Sequence, residues 1–278
     1  MAQDGWSGST VPADEVLLRD IDTSVAHPAR IYDYWLGGKD NYAADREAGE
    51  LVLAARPGLR ESVRANRAFL GRVVRLLASE MGIRQFLDIG TGLPSADNTH
   101  QVAQEVAPDA RIVYADNDPM VLAYARALLT GTEAGATAYL DADLRDTDAL
   151  LEQAAKTLDF GKPIAIMLLG ILHLISDEED PWGIVARVVD AVPSGSYLVI
   201  THPASDLLPQ TQEEASRRYN QNVATHQTLR SRPEVARFFD GLELLEPGVE
   251  QWHLWRPSPS DAASADLKSG HCGVARKP

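Results

Sequence analysis

Carboxylates stand at or near the ends of three short apolar runs. Asp88 lies in QFLDIG, Asp116 closes RIVYAD, and Asp141, Asp143 and Asp146 fall in the DADLRD that follows TAYL. The first run continues as Gly90-Thr91-Gly92-Leu93-Pro94-Ser95. Glycines at 90 and 92 allow a tight turn and let the backbone come close to a ligand. Between a strand and a helix, such a turn is one mark of a nucleotide crevice. A carboxylate at the end of the second strand is placed to accept both hydroxyls of a ribose. Asp116 fills that position; Asp118 is the alternative, although just before Pro119 it could instead cap a helix. One acid of the third group could accept from the exocyclic amine of adenine, while the others are solvated or start the helix after Asp146.

Asp88 narrows the ligand. Two residues before Gly90, its charge would face a pyrophosphate unfavourably, but it suits a ligand with a cationic amino group, such as the methionine end of S-adenosylmethionine. The third glycine of the dinucleotide fingerprint serves helix–strand packing; here that position is Ser95, preceded by Pro94. An NAD(P)-dependent oxidoreductase is therefore the weaker alternative. Methyl transfer from a sulfonium is an in-line displacement on an activated group, so holding the reactants in line and excluding water can supply much of the catalysis. A dedicated base is needed only if the acceptor must lose a proton early. His173, in LLGILHLIS, is the candidate base, with fixing a loop as its other reading. Gly170 just before it would let the backbone approach the cofactor. His202 ends a further run, ITH, and could face the same crevice or anchor a loop. No Asn-Pro-Pro-Tyr follows the fourth apolar run, which speaks against methylation of amide or adenine nitrogens.

The elements that must position these residues follow from periodicity. QFLDIG, RIVYAD, TAYLDA, IAIMLL and SYLVITH read as strands. Helical stretches near Ala96–Val106, Pro119–Leu129, Asp148–Leu158 and Glu178–Val192 lie between them. Strands alternating with helices predict βαβ units and a parallel sheet covered on both faces. Ser95 is placed to cap the helix starting at Ala96. A polar helix near Gln210–Leu229 and a shorter one, Pro233–Phe239, follow. LELLE, QWHLW and HCGVARK then offer two final strands, with a surface loop at 257–266. Upstream, residues 1 to about 12 are small and polar, and Asp14–Asp20 suggests a short helix. PARIYDYWLGG reads as a helix, with Pro28 in its first turn and Gly37-Gly38 at its stop. Further helices span Ala43–Ala55 and Leu59–Glu80. Residues 1–82 form a helical N-terminal extension and 83–278 the cofactor-binding domain.

Tyr32, Tyr34, Trp35 and Tyr42 cluster in that extension, which is expected to act as a lid. An aromatic face holds a sulfonium by about 0.5–2 kcal/mol of cation–π attraction. Arg30 and Lys39 could reach a carboxylate of cofactor or acceptor. Tyr34, Gly38 and Lys39 are assigned to the site because LGGKDN has the look of a shaped turn; Trp35 and one tyrosine are assigned to the core. The stripe Arg60, Arg64, Arg67 and Arg75 reads as a solvated face. With 26 Lys and Arg against 40 Asp and Glu, the net charge of −14 disfavours nucleic acid and anionic membranes. The lone Cys272 excludes an internal disulfide, and the scattered histidines make no HxH or HxxxH pair, so no metal site is expected. MAQDGWSGSTVPADEV has neither the basic start nor the apolar run of a signal peptide, so the expected location is cytoplasmic.

DIGTGLP, YADNDP and ADLRD resemble the first three motifs of class I S-adenosylmethionine-dependent methyltransferases. HPARIYDYWLGGKDNYAADRE resembles the bacterial "S-adenosyl methyltransferase" family, formerly a domain of unknown function, and the likeness runs from about Asp22 to GVARKP. The resemblance implies an α/β, Rossmann-like fold: a mostly parallel seven-stranded sheet whose last strand is antiparallel. It assigns the amino-acid moiety to Asp88, Gly90 and Gly92, the ribose to Asp116, the adenine edge to Asp143 and Leu144, and places Asn117 beside the adenine plane; Thr91, between the two glycines, is counted among the cofactor-binding residues. In the family's Asp-x-Gly-x-Gly-x-Gly the last glycine is Pro94 here, which has no N–H to donate. The expected activity is methyl transfer from S-adenosyl-L-methionine to a small-molecule acceptor, the alternative being a non-catalytic sensor that binds the same cofactor.

Overall fold

The computed structural model describes residues 22–128, 131–258 and 267–278. The polar N-terminal stretch, the expected helix Asp14–Asp20 and most of the 257–266 loop lie outside them. Helix α1, Pro28–Leu36, starts with proline in its first turn and ends at Gly37, whose φ of 88° provides the left-handed stop. Helices α2, Ala43–Ala55, and α3, Leu59–Ser79, follow. The alternating part then runs β1 (Gln85–Ile89), α4 (Thr99–Val106), β2 (Arg111–Asp116), α5 (Pro119–Leu128), β3 (Ala136–Asp141), α6 (Thr147–Ala154), β4 (Ala165–Leu169), α7 (Pro181–Asp190) and β5 (Tyr197–His202). Helices α8 (Pro209–Asn222) and α9 (Arg232–Ala236) precede β6 (Glu243–Leu244), β7 (Glu250–Gln251) and β8 (His271–Arg276).

Several helices are shorter than the apolar periodicity predicts. Helix α4 starts at Thr99, not Ala96, because Asp97 takes a left-handed φ of 58° and Asn98 is the N-cap residue, its N–H donating to Gln101 Oε1 at 2.9 Å. Helix α8 stops at Asn222, and residues 223–230 run as loop and bridges, with Ala26 paired to Val223 and Ala204 to Arg230.

The strand order is β3-β2-β1-β4-β5-β8-β6, with β7 also paired to β8. The first five strands pair in parallel, and β8 runs antiparallel to β5. The outer edge expected as one strand of a seven-stranded sheet is split into β6 and β7, separated by the Pro247-Gly248 turn. Order reverses at β1 and β4, so the crevice for a ligand lies beyond their carboxyl ends.

Period-two alternation divides the core. Leu87, Val113, Ile166 and Leu168 face one cluster with α6 and α7, whereas Phe86, Ile112, Tyr114 and Met167 face another with α3 and α4. Helix α3, grouped by sequence with the N-terminal extension, buries Phe69, Val73, Val74 and Leu77 in this second cluster. A third cluster joins Ile31, Val52, Leu59 and Val63 to Ala215 and Tyr219 of α8. No helix among the described residues is long and apolar enough to cross a membrane.

Candidate active site

A cavity of about 420 Å³ is lined by the loops after β1 to β5, by α1 to α3 and by α8. Its floor begins at the β1 loop. Asp88 is buried, and Thr99 Oγ1 donates to its Oδ2 at 2.6 Å. Burial pushes this carboxyl up to about 6, although the Thr99 hydrogen bond and the Arg67 charge oppose the shift. The Thr91 hydroxyl donates back to the Asp88 carbonyl, and the Gly90 N–H to the Ala115 carbonyl. Gly90 and Gly92 have φ of 72° and 68°. A Cβ on Gly90 would sit 2.6 Å from the Ile171 side chain, whereas one on Gly92 or Gly170 would meet no protein atom within 4 Å.

Asp116 receives the Gly92 N–H on Oδ2 at 2.9 Å and the Asp118 N–H on Oδ1 at 3.0 Å. Burial raises its pKa against the pull of those two amides. Asp118 does not line the cavity. It accepts from the Met120 N–H at 2.8 Å and meets His27 Nδ1 at 2.8 Å. Burial would raise its pKa, but the His27 contact outweighs it and the net shift is downward. Of the third acidic group, Asp143 lines the cavity, with Asn117 Nδ2 donating to its Oδ2 at 3.0 Å. Leu144 beside it is buried. Asp141 is exposed and Asp146 caps α6. Leu93, just before Pro94, ties the β1 loop to its surroundings by packing with Met120 and Val121, and with Ala29 of α1.

At the ends of β4 and β5, Gly170 (φ 71°) donates to the Thr201 carbonyl. His173 lines the cavity, half-buried, and its Nδ1 has no hydrogen-bond partner among the described residues. Burial and the charge of Arg230 lower its pKa to about 4. His202 is fully buried and does not line the cavity; both its ring nitrogens are engaged, by Pro203 and Arg230. It is a loop anchor.

Three residues assigned to the site from sequence are not brought to the cavity. Tyr34 points to Glu50, to which its hydroxyl donates, and lies under the Arg60 guanidinium at 4.8 Å. Gly38 packs on Asp33, whose carboxylate also accepts from Asp40 N and Asn41 Nδ2. The shaped turn thus serves Asp33, and Lys39 on it is exposed. Helical geometry gives the reason: at 100° per residue, Ala29, Tyr32 and Trp35 share a face of α1 while Tyr34 faces away. Tyr32 and Trp35 line the cavity instead. Asn66 Nδ2 donates to Tyr32 Oη at 3.0 Å, and Arg67 holds the carbonyls of Ala96 and Asp97. Ser62 and Asn66, missed from sequence, are polar residues within an otherwise apolar stripe of α3. Arg67 departs from its solvated neighbours because that same face turns onto the β1 loop.

A family model described as S-adenosyl methyltransferase matches residues 14–278. The chain belongs to this family. Its cofactor is S-adenosyl-L-methionine and it is a methyltransferase. A DUF574 family protein from Streptomyces avermitilis MA-4680 is similar at 44% identity and a TM-score of 0.89, over 92% of this chain and 99% of the other. A candidate methyltransferase from Thermobifida fusca YX is similar at 42% identity and a TM-score of 0.85, over 96% and 99%. The magnesium protoporphyrin IX methyltransferase of Synechocystis PCC 6803, solved with bound S-adenosylmethionine, shares the fold at 11% identity and a TM-score of 0.52, over 98% and 100%. No functionally curated protein matches the chain. As a methyltransferase cradle, the site suits its cofactor chemically: carboxylates from three strand ends, a glycine turn open on its ligand side, and a volume in the usual range for small-molecule pockets.

Proposed function

We propose that the protein methylates a small-molecule acceptor held under the lid of α1, α2 and α8. The observation carrying this reading is one continuous cavity, which joins the strand-end acids to the helical lid. In it, Asp88, Gly90, Thr91 and Gly92 hold the amino-acid end of the cofactor and Asp116 its ribose. Asn117, Asp143 and Leu144 hold its adenine, and Gly170 leaves room beside its centre. The bound cofactor supplies a methyl group already activated on a sulfonium. The chain supplies alignment and a partly enclosed, mostly apolar surrounding, which suffice when the acceptor atom is nucleophilic. His173 serves as a hydrogen-bond acceptor that orients the nucleophile: its imidazole stays neutral above about pH 4, and so weak a base contributes little to proton removal.

The test is formation of S-adenosylhomocysteine by the full-length protein over a metabolite panel. Turnover with at least one small molecule is expected. Stoichiometric cofactor binding with no turnover on any candidate would support the sensor alternative instead.

A further inference from the structure

Arg56, at the carboxyl end of α2, is a buried charge with no counter-ion among the described residues. Three arginines are buried among the described residues: Arg30, Arg56 and Arg230. Arg30 faces Asp45 at 3.1 Å and Arg230 faces Asp177 at 2.7 Å. Arg56 is 7% exposed and has no carboxylate within ion-pair distance among the described residues. Its Nη2 donates to the Lys268 carbonyl at 2.7 Å and to Ser62 Oγ at 3.3 Å, while Nε and Nη1 donate to nothing among the described residues. An ion withdrawn from water is costly unless an opposite charge or several hydrogen bonds replace its hydration. Burial accordingly pushes the guanidinium down to about 10, with no opposing cause, and it remains protonated at neutral pH.

This charge faces the cavity, in its helical half. The charge that acts on Asp88 is that of Arg67, and Asp116 is held by the Gly92 and Asp118 amides; Arg56 acts on neither. Ser62 and Asn66 stand beside it on successive turns of α3, and Asn66 Oδ1 is buried without a partner among the described residues. Trp35 and Trp252 line the same half. Their indole N–H groups are tied to the carbonyls of Gly49 and Ser62, so what they offer a ligand is ring surface.

We propose that Arg56 anchors a carboxylate on the methyl acceptor, and that the acceptor is an aromatic carboxylic acid. The proposal rests on the reading that the cavity holds cofactor and acceptor together. A carboxylate supplies the missing counter-charge through a charge-assisted hydrogen bond to Nη1 or to Nε, which lie on different edges of the guanidinium. A phosphate dianion would call for a second free cation, and Arg67 is held by the carbonyls of Ala96 and Asp97.

The test is calorimetry at pH 7.5 on the full-length protein saturated with S-adenosylhomocysteine. The probes are benzoate, phenylacetate and 3-phenylpropionate, each against its primary amide, with phenyl phosphate as a further arm. At least one acid is expected to bind about tenfold tighter than its amide, as a charge-assisted contact requires. Arg56→Met should abolish that preference and leave S-adenosylhomocysteine affinity unchanged. Arg56→Lys, which keeps the charge, should retain the preference in weaker form and serves if the methionine variant does not fold. Equal binding of every acid and amide overturns the proposal. So does a preference that survives in Arg56→Met, or tighter binding of phenyl phosphate than of benzoate. Loss of S-adenosylhomocysteine affinity in a folded Arg56→Lys also overturns it, by giving Arg56 to the cofactor. Failure of the wild-type protein to bind S-adenosylhomocysteine would instead sink the cofactor assignment itself.

Discussion

Arg230 Nη1 donates to His202 Nε2 across 2.9 Å. A guanidinium cannot take this position beside an imidazolium, so His202 is neutral and its Nδ1 proton goes to the Pro203 carbonyl. Burial and the adjacent His173 hold its pKa well below the ordinary histidine value. The same guanidinium binds the carbonyls of Leu172 and Ile175 and the carboxylate of Asp177. Arg230 therefore pins the loop that carries His173 into the cavity.

Arg230→Met leaves those buried carbonyls without a donor. The expected loss is about 3 kcal/mol of unfolding free energy, the usual scale for buried groups deprived of a partner. Urea denaturation reads it as a lower midpoint at unchanged slope. A loss below about 1 kcal/mol would show that the loop holds itself without the pin.

Asp116→Ala should weaken S-adenosylhomocysteine binding by about 1.5–3 kcal/mol, the range for hydrogen bonds to a charged group. Calorimetry on the folded variant measures it. Unchanged affinity would remove Asp116 from the ribose site and leave it only its contacts to Gly92 and Asp118.

Asp88 makes ligand-free stability depend on pH. Its folded pKa is raised from 3.8 to about 6, so the folded state favours the protonated form. That stabilising contribution is complete below the unfolded value and is lost as pH rises through about 6. Asp88→Asn, neutral throughout, should therefore gain stability over the wild type at pH 8, by up to about 3 kcal/mol for such a shift. The gap should narrow on going to pH 5, and the variant should bind the cofactor more weakly. Parallel melting curves with pH would show otherwise.

His173→Ala should lower kcat by less than about a hundredfold, because a true general base contributes about 10²–10⁴-fold. The wild-type rate should show no ionisation of His173 between pH 5.5 and 8, since its pKa is about 4. A limb in the wild-type profile within that range that disappears in the variant would restore His173 as the base.

The strand ends were legible because they are local. Asp88 at the end of β1 is followed at once by the Gly90–Gly92 turn, Asp116 closes β2, and Asp143 lies two residues past β3, after apolar runs that are plain in the sequence; all five line the cavity. Helix starts were less legible, as at Asn98, because a left-handed residue such as Asp97 has no apolar signature. The N-terminal aromatics were assigned in reverse. Tyr34 and Trp35 are neighbours in the chain, and only the docking of α1 on α2 and α3 decides which of them lines the cavity.

By itself the sequence determined the alternation of strands and helices, the parallel sheet and the acid–glycine cradle, since each depends on periodicity or on residues a few positions apart. Tertiary structure alone decided which faces of α1, α2 and α3 close over that cradle. It made His202 an anchor through Arg230, twenty-eight residues away, and set Arg56 against the Lys268 carbonyl with no carboxylate in ion-pair distance among the described residues. Burial and charge pairing come from segments remote along the chain, so the environment of a side chain is fixed only when those segments pack.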